Sequence, residues 1–371
     1  MDKARRVWWG GEDRRVSAGE LPDLDWYLDH VVVPSGIERR PVGPVRAWQG
    51  WLAAVAHRLS GEVDGSPLGA ATGLALRQGF VLTRAQARDC GLSDPVVRRL
   101  LRRGTWVSCG HGTLAVVGEQ ATNAYEAARR SHALRATGAA LRRRGHGVGF
   151  ASAAMLHGLP VLSLPMLPEL VAATGPVTTG RRSSAHVRHG GPRPAQLTDW
   201  FGAPVTSIAQ SVVDLARIDP RSGLMAADAA LHGALLEPAE LRAAIDSAAL
   251  LPGIRRAREV LALASPLIES PLESITHLAL HDAGLPAPKL QIWLPGADGR
   301  RYRVDFVWPQ LRLVLEADGR DKYRDDALWT EKRRQLALTR ADYRVERVIW
   351  SDVIDGTVPP WLVQLFTNPR T

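Results

Sequence analysis

The chain has 371 residues, 45% apolar and 23% charged, with a formal net charge of +9. That length excludes one small core and points to two or three units of ordinary globular composition. Two cysteines (Cys90 and Cys109) without CxxC spacing exclude a structural zinc or disulfide framework. No apolar run reaches the roughly eighteen residues of a membrane span, and the N-terminus has no signal-like segment, so a cytoplasmic protein without a membrane partner is expected.

Nearly all the positive charge is arginine, which can fork two hydrogen bonds to one phosphate, so a nucleic-acid partner is expected through counterion release. An arginine- and alanine-rich composition inherited from a GC-rich genome explains the same excess.

Residues 1–68 form an N-terminal extension of unassigned role, with five of the twelve tryptophans and a helix expected over 45–59. From 69 to 118 the signals fall in a definite order. A short helix precedes Thr83, which can cap a helix that stops at Gly91; Ser93 and Pro95 start another that ends at Gly104. Trp106–Ser108 and Leu114–Val117 then flank turn residues, as in a β-hairpin. Helix, turn, helix, hairpin is the order of a winged helix-turn-helix. The second helix sets Arg98, Arg99, Arg102 and Arg103 apart from Val97, Leu100 and Leu101, as a recognition helix in the major groove requires. A solvated arginine face has the same pattern.

Residues 119–265 read as a mixed α/β middle region with a long helix over 121–145, a strand near 167–175 and three helices towards its end. The stretch 175–196 is expected to be a basic loop or edge strand. His157 reads as a satisfied buried histidine, and His186 and His189 lack partners at any metal-ligand spacing.

The last hundred residues read α-β-β-β-α-β, beginning with an amphipathic helix over 265–286 that carries Glu273. In the hairpin VDFVWPQLRLVLEADG, a turn flanked by Trp308 and Leu311 would set Asp305 opposite Val314 and Arg303 opposite Glu316. Asp305 and Glu316 would then be diagonal neighbours on one face, about 7 Å apart, within reach of one divalent ion. An Arg303–Glu316 ion pair is the plainer explanation for Glu316, but it accounts for neither Asp305 nor Asp318.

Glu273, Gln291 in KLQ, Asp305 in RVDFVW, Glu316 and Asp318 in LVLEADG, and the EKRR helix together resemble the PD-(D/E)XK nuclease fold, most closely its Vsr-like endonuclease branch, over about 266–355. Residues 69–118 resemble the winged helix of AbiEi-type antitoxins of type IV toxin–antitoxin systems, and 119–265 the middle region of the same architecture. The resemblance implies an α+β chain with a restriction-endonuclease-like core over 266–371. It implies a Mg2+- or Mn2+-dependent endonuclease in which Asp305, Glu316 and Glu273 hold the metal and Arg333 and Arg334 the phosphate backbone. Asp318 occupies the position where the family pattern has a lysine; Lys332, with Lys322 second, is the candidate migrated charge stabiliser. Double-stranded DNA is the expected partner, with RNA and a homodimer left open. The alternative is a non-catalytic, antitoxin-like transcriptional repressor with a cognate toxin.

Overall fold

The computed structural model describes residues 5–9, 12–16, 44–117, 124–143, 145–172, 180–182, 185–188, 197–318 and 325–367; Lys322 and His189 lie outside them. The fold is mixed α/β with several sheets. Among the described residues, no helix is long and apolar enough to cross a membrane.

A short hairpin pairs β1 (Arg5–Trp9) with β2 (Glu12–Val16). Helix α1 (Pro44–Ser60) follows, and its tryptophans tie the extension to the rest of the chain. Trp48 is buried and donates its indole N–H to the carbonyl of Leu156 (2.8 Å). The guanidinium groups of Arg129 and Arg130 lie 4.9 and 4.7 Å from the ring centres of Trp48 and Trp51. Two cation–π contacts from adjacent arginines fix this helix against its neighbour.

Next come α2 (Pro67–Leu76), β3 (Val81–Thr83), α3 (Arg84–Asp89), α4 (Asp94–Arg102), β4 (Val107–Gly110) and β5 (Thr113–Ala115). The strands form an antiparallel sheet in the order β3-β5-β4. Thr83 and Gln86 form a reciprocal capping box at the start of α3, and Gly91 takes φ 91° just past its end. The sequence pattern marked these helices and the hairpin. It missed β3, which is only three residues long.

The middle region contains α5 (Ala124–Leu141), β6 (His146–Val148), α6 (Phe150–Leu156), β7 (Glu169–Ala172), β8 (Gly180–Arg182), β9 (Ala185–Arg188), β10 (Leu197–Trp200) and β11 (Ala203–Thr206). Its six-stranded sheet runs β10-β11-β6-β7-β9-β8, so the basic stretch supplies an edge strand. Four helices follow: α7 (Ile208–Ile218), α8 (Pro220–His232), α9 (Pro238–Ser247) and α10 (Ile254–Leu261). The sequence reading had three of them.

The C-terminal unit is α11 (Pro271–Asp282), β12 (Lys289–Pro295), β13 (Arg301–Trp308), β14 (Leu313–Ala317), α12 (Asp325–Arg340), β15 (Arg344–Val348), α13 (Trp350–Val353) and α14 (Pro360–Thr367). The sheet order is β12-β13-β14-β15, with only β15 parallel to its neighbour. Helix α11 covers one face through Leu272, Ile275, Ala279 and Leu280; Leu338 of α12 packs on the other.

Apolar clusters cross the boundaries expected at 68, 118 and 265. One cluster joins α1, the β3-β5-β4 unit and the six-stranded sheet. Met225 of α8 belongs to the cluster beneath the C-terminal sheet, and Leu224, Val260 and Leu278 join α8, α10 and α11. These contacts make α8 a platform for α11.

Trp48 concentrates apolar burial, an indole hydrogen bond and a cation–π contact at one position. Trp48→Ala is expected to cost about 3–5 kcal/mol, measured as a lower midpoint in thermal or denaturant unfolding.

Candidate functional site

The hairpin register differs from the one expected. Trp308 pairs with Leu313, Val307 with Val314 and Phe306 with Leu315. The turn is longer by two residues because Pro309–Leu311 form a single 3-10 turn and Arg312 adopts φ 49°. The diagonal Asp305–Glu316 relation and the Arg303–Glu316 opposition are therefore corrected.

A second departure lies between β12 and β13. Leu290 and Phe306 are partners on the α11 side of the sheet, whereas Ile292 and Val304 are partners on the α12 side. Residues two apart on a regular strand share a face, so both strands slip by one at Gln291 and Asp305. Gln291 takes φ 52° there. The slip turns Asp305 towards α11, while Glu316 stays with Val314 on the α12 side.

On the α11 side, the Gln291 side-chain amide bridges two acids. Its Nε2 donates to Oε2 of Glu273 (2.9 Å) and to Oδ1 of Asp305 (3.2 Å). Its Oε1 accepts from Nε of Arg303 (2.7 Å), whose guanidinium also pairs with Glu269. The other Asp305 oxygen accepts from the backbone N–H of Ala317 (2.9 Å), at the end of β14. Glu273 is 5% exposed and accepts a second hydrogen bond from the Glu269 N–H (3.1 Å). Ser270 caps α11 by accepting the Glu273 N–H, so the carboxylate leaves the first turn of a fixed helix. Burial pushes the Glu273 carboxyl above its ordinary 4.5, and the Asp305 charge pushes it further.

On the α12 side, Arg334 donates to Oε1 of Glu316 (2.6 Å) and to the carbonyl of Arg303 (2.5 Å). Arg334, expected on the phosphate backbone, is thus paired with the second acid. Asp318 lies 3.8 Å from Arg347. Lys332 is exposed on α12, roughly 200° around the helix from Arg334, so it does not face Glu316 as the migrated-lysine expectation requires. Arg333 is exposed too. Glu273 and Asp305 therefore come together, while Glu316, Asp318 and Lys332 are directed elsewhere. Among the described residues, no three His, Cys, Asp or Glu side chains are grouped as a ready metal cage.

The donor set still suits a hard divalent cation. Two carboxylates are held together with one neutral amide between them, and their oxygens are the ligand type that Mg2+ and Mn2+ prefer. Glu316 stands one residue before Ala317, whose N–H Asp305 accepts. Its side chain nevertheless stays on the α12 side, paired with Arg334.

His157 is a satisfied structural histidine. It donates Nε2–H to the carbonyl of Thr206 (2.7 Å), and burial lowers its pKa to about 4. His186 lies on β9. A second surface of interest is α4, where Arg98, Arg99 and Arg102, with Arg103 just past its end, are all exposed, Val97 is buried, and Leu100 and Leu101 are half-buried.

No family model matches the chain. Two uncharacterised proteins, from two strains of Mycobacterium tuberculosis, are each 37% identical to it over 123 residues, 33% of this chain and 45% of the relative. The chain thus spans under half the length of the curated relatives it matches.

The folded protein holds the Glu273 proton more tightly than the unfolded chain does. That group therefore favours folding below about pH 4.5, and its contribution is lost as pH rises through the raised folded value. Without divalent cations, Glu273→Gln is expected to melt a few degrees above wild type near neutral pH, with the difference vanishing at about pH 4. Thermal unfolding across pH checks this.

Proposed function

We propose that this chain binds double-stranded DNA and that its C-terminal unit is a metal-dependent endonuclease that hydrolyses phosphodiester bonds. The observation that carries the reading is the Glu273–Gln291–Asp305 cluster. It sets two like charges at a sheet irregularity, on an α-β-β-β-α-β core of the order the nuclease resemblance implies. Strand slips of this kind concentrate where a side chain must be re-aimed.

Glu273 and Asp305 would hold Mg2+ or Mn2+; Glu316, a metal ligand in the nuclease resemblance, is instead paired with Arg334 on the other face of the sheet. The ion, when bound, would polarise the phosphodiester and lower the pKa of a water. The chain's own residues orient these acids. Gln291 spaces Glu273 from Asp305, Ala317 fixes Asp305, and Arg303 holds Gln291.

The DNA-binding reading rests on α4. The order α2, β3, α3, α4, β4, β5 with sheet order β3-β5-β4 supports a winged helix-turn-helix, and α4 offers three exposed arginines, with Arg103 a fourth just past its end. A second reading, the antitoxin-like repressor with a cognate toxin, is favoured by one observation. Glu316 is neutralised by Arg334, and Asp318 stands where the nuclease pattern has its lysine.

Plasmid nicking with Mg2+ or Mn2+ separates the two readings. On the nuclease reading wild type nicks, and Asp305→Ala lowers the rate by about a hundredfold or more. No nicking by wild type, with sequence-specific binding intact, selects the repressor. Arg98→Ala and Arg102→Ala are each expected to weaken DNA binding uniformly across sequences and to reduce the salt slope by about one. Gel shifts over a salt series measure this, and unchanged slopes would remove α4 from the interface.

A further inference from the structure

The turn that leads into α11 is held from outside the C-terminal unit. Asp228 on α8 is 1% exposed, and its Oδ1 accepts the backbone N–H of Ser265 (2.8 Å). One helical turn on, Nδ1 of His232 meets the carbonyl of Pro266 (2.8 Å). Between them, these two side chains grip the start of the turn. At its far end, Glu269 donates its N–H to the Glu273 carboxylate and pairs with Arg303, and Ser270 caps α11. Only residues 267–272 separate the gripped Pro266 carbonyl from Glu273, the group it places.

Asp228 lines a cavity of about 20 Å³, and the Ser274 side chain of α11 is a further partner of its carboxyl. His232, Glu269, Ser270 and Ser274 line the same cavity, which therefore joins α8 to the first turn of α11. Its size admits one water, and its walls offer the polar partners such a water needs. Burial pushes the Asp228 carboxyl up to about 7, and the Glu273 charge adds to the rise. Electrostatic communication between Asp228 and Glu273 thus accompanies the mechanical link.

We propose that Asp228 is a positioning residue for the acid pair: by holding the 265–270 turn, it fixes Glu273 towards Gln291 and Asp305. The inference rests on the reading of that pair as a divalent-cation site. It gives the middle region a part in the C-terminal site, because the residue that sets Glu273 belongs to a helix about forty residues upstream.

The test titrates Mn2+ into the full chain by calorimetry or electron paramagnetic resonance, alongside plasmid nicking and melting temperature. Asp228→Leu keeps much of the volume but leaves the Ser265 N–H without its acceptor, so it is expected to melt somewhat below wild type and to bind Mn2+ at least about tenfold more weakly. Asp228→Asn, which still accepts the Ser265 N–H, is expected to recover most of the affinity. His232→Leu leaves the buried core untouched and should weaken Mn2+ binding in the same direction by a smaller factor, which decides the matter if Asp228→Leu fails to fold. The proposal is overturned if Asp228→Leu binds Mn2+ like wild type, if Asn falls as far as Leu, or if wild type binds no Mn2+. Mn2+ binding without nicking sinks the nuclease reading alone, and the ratio between the Leu and Asn variants still tests Asp228.

Discussion

One neutral amide holds the C-terminal site together. Glu273 and Asp305 come from different elements and repel each other, and Gln291 donates to both through a single nitrogen. Without that amide or a cation, two carboxylates this close in a partly buried place would drive a proton onto one of them. Burial raises the Glu273 pKa, and the repulsion that remains adds to the rise. Gln291 can reach both acids because β12 and β13 slip together, at a residue with φ 52° that a β-strand would not otherwise adopt. The site thus follows from a local breach of strand periodicity.

That breach also marks the limit of what the sequence could tell. Acids inside apolar strands were visible, as were the element order, the Thr83 cap of α3 and the basic split of α4. The hairpin register was not, because it depends on the 3-10 turn at Pro309–Leu311 and the left-handed Arg312, for which a Pro-Gln pair gives no distinct signal. Counting by twos placed Asp305 and Glu316 on one face. The slip at Gln291 and Asp305 separates them, and only pairing across three strands makes that evident. Arg334 as the partner of Glu316 was equally hidden, since helix α12 meets the sheet through tertiary packing alone. Gln291 was noticed as part of a motif, but its bridging role needs the folded geometry.

Packing across the expected boundaries gives the chain another constraint. Helix α11 is buried on two sides, by its own sheet and by α8 and α10, which explains why its apolar residues exceed a single stripe. Such a helix cannot rotate to adjust Glu273 independently of the middle region. The grip of α8 on the 265–270 turn tightens the same dependence.

On the proposed reading, Glu273 and Asp305 form a cation site kept in readiness by Gln291. Crystals of the full chain soaked in Mn2+ and measured at the manganese absorption edge test it most directly. The account predicts an anomalous peak between the two carboxylates, with the Gln291 amide displaced from at least one of them. Full manganese occupancy elsewhere, with Gln291 still bridging both acids, would contradict it.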